Sequence, residues 1–151
     1  MNKDLLILHH LRHNGRETLT KISRITGIPV STIFDRLQTN LNNTILRPTV
    51  LLNYEHLGYR TRIQAVLRVN KDQREEAKTF LVQHLNINTC YKINNGYHYL
   101  IEAIFKDLPG VELFIEELEQ HFTVEEKKIF YILEELKREG FLAESKLLPR
   151  S

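Results

Sequence analysis

Residues 18–38 read TLTKISRITGIPVSTIFDRLQ, and this stretch decides the fold of the first third of the chain. From about Glu17 to Thr26, Leu19, Ile22 and Ile25 recur three apart, the spacing of an apolar helix face. Thr18 can cap this helix by accepting a backbone N–H, with Lys21 where a full capping box would have Glu. Gly27 ends it. Pro29 suits the start of the next helix, where its missing N–H would be unpaired anyway. That helix runs from about Val30 to Asn40 and buries Ile33 and Leu37. Two short helices about a tight Gly27-Ile28-Pro29 corner form a helix-turn-helix arrangement, in which the second helix can lie in a major groove while the first braces it. Any αα corner in a small helical domain shares this spacing. The outward face of the second helix tips the reading towards DNA: Ser31, Thr32, Asp35 and Gln38 can hydrogen-bond base edges and phosphates, with Arg36 close by, where a partner-binding helix would show Leu or Met.

Upstream, Lys3 to His13 places Leu5, Leu8 and Leu11 three apart, widened by Ile7, in a helix that stops at Asn14-Gly15. His9 and His13 have a metal-ligand spacing on that helix, but no third ligand follows, and a polar helix face accounts for both. Downstream, Asn42-Asn43 marks a turn. Thr44 to Asn53, with Ile45, Val50, Leu51 and Leu52 around Pro48, reads as a short wing and an extended linker. Tyr54 to Gly58 closes this unit.

From Tyr59 the period becomes two: Ile63, Ala65, Leu67 and Val69 alternate with Arg62, Gln64, Val66 and Arg68, a half-buried strand. Asp72 to His84 is helical, with Ala77, Phe80, Leu81 and Leu85 on one side. Ile87 to Ile93 and Tyr97 to Phe105 are strands joined at Asn94-Asn95-Gly96, a hairpin signal. Leu108 to Phe122 is helical through Val111, Phe114, Ile115 and Leu118. One more strand would complete a ferredoxin-like sandwich. Residues 123–139 carry conflicting signals. Thr123-Val124-Glu125-Glu126 fits a capping box, and Ile129, Leu133 and Leu136 keep helical spacing, whereas Ile129-Phe130-Tyr131-Ile132-Leu133 is β-branched and aromatic at strand length. A strand over about Lys127 to Glu134 completes the sheet and is the expected outcome. The expected fold is thus α+β, with a helical unit at 1–58 and a βαββαβ sandwich at 59–151.

Composition narrows the function. With 151 residues, 42% hydrophobic and 26% charged, the chain is globular, and no apolar run reaches the ~18 residues of a membrane span. A single cysteine, Cys90, makes no internal disulfide and reads as a small buried hydrophobe on a strand. A cytoplasmic location follows as the expectation. The net charge of +2 is uneven: residues 1–58 hold 7 bases against 4 acids, a modest basic bias compatible with nucleic acid. His84, His98 and His121 are scattered without a readable catalytic set, and the 6 glycines are too dispersed for a phosphate-cradling loop. The run Glu116-Glu117-Glu119 reads as a solvated helix face. No catalytic residue, metal ligand or cofactor site is assigned.

Several ordered stretches carry a resemblance. They are Asn14-Gly15-Arg16, then Ile22-Ser23 through Thr26-Gly27-Ile28-Pro29-Val30-Ser31-Thr32-Ile33-Phe34-Asp35-Arg36-Leu37, then Ile45-Leu46-Arg47-Pro48-Thr49-Val50 and Leu57-Gly58. Asn95-Gly96-Tyr97-His98-Tyr99-Leu100, Lys106-Asp107 and Glu134-Glu135-Leu136-Lys137 follow. Together they resemble the Lrp/AsnC family, the feast/famine transcription regulators, over nearly the whole chain. The resemblance implies a winged helix-turn-helix followed by a RAM/ACT-like sandwich that dimerises and binds amino acids, with a final strand closing on the last motif. It implies double-stranded DNA as partner and a homodimer or a higher even-numbered oligomer.

On this basis Lys21, Arg24 and Arg47 are expected to contact phosphates, and Ser31, Thr32, Asp35 and Gln38 to read bases, with Val30 and Arg36 in the same interface. Arg36, next to Leu37, can instead face inward in an ion pair. Asn94, Asn95, Gly96, Tyr97 and His98 form the expected effector site. His98 stands where the family often has an Asp, which removes the partner for an α-ammonium group, so weak or absent binding of ordinary amino acids is expected. The other function class is an enzyme or small-molecule binder on the same architecture, like the family's relatives that decarboxylate tetrapyrroles. Alternation along 97–105 puts apolar residues on both sides of that strand, so a second chain is expected to cover the face left without helices.

Overall fold

A computed structural model describes residues 2–143. The chain divides into two compact units: Met1–Leu51 joined by the chain from Leu136 onward, and Leu52–Glu135. The expected boundary put everything after residue 58 in one module. Instead the stretch beyond Glu135 belongs with the N-terminal helices.

In the first unit, α1 (Lys3–His13), α2 (Leu19–Thr26) and α3 (Val30–Gln38) enclose a small core of Ile7, Ile22, Ile28, Ile33 and Leu41. Asn2 caps α1 by accepting from the Asp4 N–H at 2.8 Å, and Thr18 caps α2 by accepting from the Lys21 N–H at 3.2 Å. Gly27 ends α2 at φ +74°, in the left-handed region where a side chain would be strained. Thr26 ties the corner together: its hydroxyl donates to the Ile22 carbonyl at 2.6 Å and accepts from the Ile28 N–H at 3.2 Å. Two details differ from the periodic reading. Ile7 is the fully buried apolar residue of α1 while Leu5 faces out, and Ile25 of α2 is exposed. After a turn at 41–44 the chain runs from 45 to 53 without strand pairing, so the stretch expected to supply a wing has no ladder within the described chain. Pro48 also lacks a donor for one.

The returning stretch packs on α1. Arg12 donates from Nε to the Phe141 carbonyl and from Nη2 to the Glu139 carbonyl, both at 3.0 Å, and pairs with the Glu139 carboxylate at 3.2 Å. The His9 ring donates from Nδ1 to the Leu142 carbonyl. His9 and His10 are buried, so the polar, solvated face expected for His9 is a packed one.

The second unit is a four-stranded antiparallel sheet in the order β2-β3-β1-β4, built from β1 (Thr61–Val69), β2 (Ile87–Lys92), β3 (Tyr99–Phe105) and β4 (Val124–Tyr131). Helices α4 (Arg74–Gln83) and α5 (Leu108–His121) complete the βαββαβ order. Ala65 sits opposite Ile101 on one side and Ile129 on the other. Strand alternation sends Ile63, Ala65, Leu67 and Val69 together with Tyr99, Ile101, Ala103 and Phe105 into the core, where Ala77, Leu81, Val111, Phe114 and Leu118 meet them. Asp107 starts α5 by accepting from the Gly110 N–H at 2.9 Å. Cys90 packs half-buried against this core, and burial pushes its thiol pKa up.

The conflict over residues 123–139 resolves as a strand that begins and ends about three residues earlier than expected. β4 runs antiparallel to β1 as far as Tyr131 opposite Ile63, near the start of β1, and the Ile132 N–H adds one more bond to the Arg62 carbonyl. The motif Glu134-Glu135-Leu136-Lys137 therefore lies beyond the strand. Leu85, expected on the buried side of α4, is fully exposed because the helix ends at Gln83. The acidic run on α5 is partly paired: Glu117 meets His84 at 3.4 Å and Glu119 meets Lys127.

Candidate nucleic-acid interface and hairpin site

The buried side of α3 is Ile33, with Leu37 half-buried beside it. The opposite arc presents Val30, Ser31, Phe34, Asp35 and Gln38 to solvent. Thr32 is half-buried on the edge of this arc, less available than expected. Phe34 was not among the expected contacts. Its place four residues after Val30 and next to Ile33 was the available signal, since a helix that buries Ile33 turns Phe34 about 100° away. On α2, Lys21 and Arg24 lie one turn apart and exposed, and Arg47 is exposed in the stretch after the turn. The Lys21 ammonium, itself half exposed, stands 3.4 Å from the carboxylate of the more buried Glu17. Arg36 differs. Its Nη1 donates to Asp4 Oδ1 at 2.7 Å, tying α3 to α1, which is the inward ion pair foreseen for it and makes its contribution to an interface indirect.

At the hairpin, Asn95 (φ +66°) and Gly96 (φ +87°) both take left-handed backbone, the turn a tight right-twisted hairpin needs. Asn94, Asn95 and Gly96 are exposed. Tyr97 donates its hydroxyl to Glu126 Oε1 at 3.0 Å and has the Lys128 ammonium 5.8 Å from its ring centroid. His98 is turned away from the tip: its N–H donates to the Leu67 carbonyl at 2.8 Å and its Nδ1 accepts from the Val69 N–H at 3.1 Å. The ring is thus occupied bracing the end of β1. Two cavities of about 390 and 350 Å3 lie in this unit, both lined by His84 and Asn86, and no residue of 94–98 lines either.

An imidazole that accepts a backbone N–H must be neutral at that nitrogen. Burial lowers the His98 pKa, helped by Arg74, Arg68 and Lys92 and opposed by Glu125. His10 is lowered too, first by burial and then by His9, with His13 and Lys21 adding and Glu17 opposing. Both rings titrate lower in the folded chain than in the unfolded one, so their contribution to stability is present above about pH 6.5 and is lost as pH falls through the folded values. The thermal midpoint is expected to drop between pH 7.5 and 5.5, and to drop less in His98→Gln, which takes up no proton. Equal pH slopes in the two proteins would contradict the role given to His98.

A helix–turn–helix corner ahead of a ferredoxin-like sandwich defines an α+β chain of the kind found in helix-turn-helix regulators. Residues 64–142, more than half of the 151, match the Lrp/AsnC ligand binding domain, and the chain belongs to the Lrp/AsnC family. It is 26% identical over 114 residues to the HTH-type transcriptional regulator FL11 of Pyrococcus abyssi, covering 75% of this chain and 76% of that protein. Its fold matches a transcriptional regulator of Neisseria meningitidis solved with L-Met at a TM-score of 0.83, with 23% identity over 91% of this chain and 93% of the other. It also matches the feast or famine regulatory protein of M. tuberculosis complexed with L-methionine at a TM-score of 0.80, with 17% identity over 90% and 95%.

Proposed function

We propose that the protein is a sequence-specific DNA-binding transcription regulator that acts as a homodimer in the cytoplasm and is not an enzyme. In this reading the first unit is a helix-turn-helix, without a paired wing among the described residues, and α3 is its recognition helix. The observation that carries it is the division of α3 into a face pinned by Ile33 and an exposed arc of side chains able to meet base edges, next to exposed Lys21 and Arg24. Selection of duplexes from a random pool by the full chain tests it directly. Lys21→Ala should weaken binding to all duplexes alike and flatten the salt dependence by about one unit, whereas changing Thr32 should shift the preference at one base pair by about 1–3 kcal/mol. If neither variant alters affinity or salt dependence, the interface assignment is wrong.

The sheet face without helices is the proposed dimer surface. It carries the half-buried Val66 and Leu100 among the paired charges Arg62–Glu102 and Arg68–Glu126, with Phe130 and Tyr91 exposed at its sides. A second copy related by a two-fold axis would cover those apolar groups and set two recognition helices in register with a two-fold operator. Sedimentation of the full chain should give twice the 17.9 kDa chain mass. Phe130→Asp should shift it towards the single-chain mass, and a wild-type chain that stays single at micromolar concentration would exclude this surface.

A small effector, an amino acid or a related molecule, is proposed to act at the hairpin through the free backbone of 94–96. The Neisseria and M. tuberculosis regulators with L-Met support an amino acid in this role. The commitment of His98 to Val69 supports a site lacking a group for the ammonium, and hence weak binding of ordinary amino acids.

A further inference from the structure

Phe34 is 54% exposed and Val30, one turn before it on the same side of α3, is 41% exposed. Neither side chain belongs to the core of the first unit, which gathers around Ile33. Their neighbours on the exposed arc are Ser31, Asp35 and Gln38, all hydrogen-bonding groups, and the preceding helix exposes Lys21 and Arg24. The polar and basic neighbours, rather than the apolar pair alone, choose the partner. A major groove fits them. Its floor is polar, its rim is anionic, and its one apolar group is the C5 methyl of thymine.

We infer that Phe34, supported by Val30, covers a thymine methyl group, so that each half-site of the operator holds a thymine whose methyl is read by this ring. The inference rests on the regulator reading above and deepens it. Ser31, Asp35 and Gln38 supply hydrogen bonds beside the ring, and the ring supplies discrimination at a base pair that those side chains do not read. Because Phe34 is exposed, its removal leaves the core of the unit intact.

The test uses the full chain and a duplex that it selects from a random pool, with each thymine replaced in turn by uracil, which lacks only the methyl. The wild-type protein should lose about fourfold in affinity at one thymine per half-site, the value of one buried carbon. Phe34→Ala, with an unchanged thermal midpoint, should bind the unsubstituted duplex at least fourfold more weakly and respond no further to that uracil. A selected duplex that binds equally well with uracil at every position overturns the inference and leaves the regulator reading standing. A uracil effect of the same size in Phe34→Ala overturns it as well. Failure to enrich any duplex overturns both.

Discussion

Phe114→Ala is expected to lower the stability of the second unit by about 3–5 kcal/mol, the range for emptying a buried aromatic site. Phe114 is 2% exposed and sits at the meeting point of α5, α4 and β3. Its ring centroid lies 5.6 Å from Phe105, 4.9 Å from His84 in an edge-on contact and 6.5 Å from Phe80 in a stacked one. Three rings on α4, its C-cap and β3 lose a neighbour at once, and the sheet behind them is anchored by its own ladders, so the site cannot collapse cheaply. At about 4–8 °C per kcal/mol for a unit of this size, the thermal midpoint should fall by well over ten degrees. Leu113, the adjacent residue, is 65% exposed, and Leu113→Ala should stay within about 0.5 kcal/mol of wild type. Equal melting of the two variants would show that the cluster around Phe114 is not what holds α5 down.

Ile33→Ala should cost about 2–5 kcal/mol in the first unit. The side chain is fully buried in a small cluster with Ile7, Ile22, Ile28 and Leu41. A core this small has little to spare, so the loss is a larger fraction of its total stability than Phe114 is of the sandwich's. Hydrogen exchange of the full chain is the discriminating measurement. Amides of α1, α2 and α3 should lose protection while those of β1 and β3 keep theirs, and binding to any selected duplex should fall with the helices. Equal loss of protection in β1 and β3 would show that the two units unfold as one.

The elements legible in the sequence were those whose own periodicity fixes a buried side. Ile63 to Val69 alternates cleanly and is β1; Val111, Phe114 and Leu118 repeat at helical spacing and lie inward on α5. The helix-turn-helix corner was legible because Thr18, Gly27 and Pro29 mark its turns chemically. Residues 123–139 could not be settled locally. Val124–Tyr131 is a strand because β1 offers a free edge, a fact outside the window. The burial of His9 was hidden for the same reason, as its partner Leu142 lies 133 residues away. Among the candidate contacts, the exposed polar residues of α3 were readable from helix phase. The commitment of the His98 ring to Val69 and of Arg36 to Asp4 depended on tertiary neighbours.

Because the chain leaves the helical unit after Leu51 and re-enters it from Leu136, no single cut separates the two units into complete halves. A piece ending near residue 58 would leave Arg12 and His9 without the carbonyls of Glu139, Phe141 and Leu142 that they bond. Recombination that splices this helical unit onto another sandwich as a cassette must therefore carry the final segment along with it. Grafting the sandwich between the two parts of the helical unit is the exchange the architecture permits, with the linker at 51–52 and the exit at 135–136 as the pair of seams.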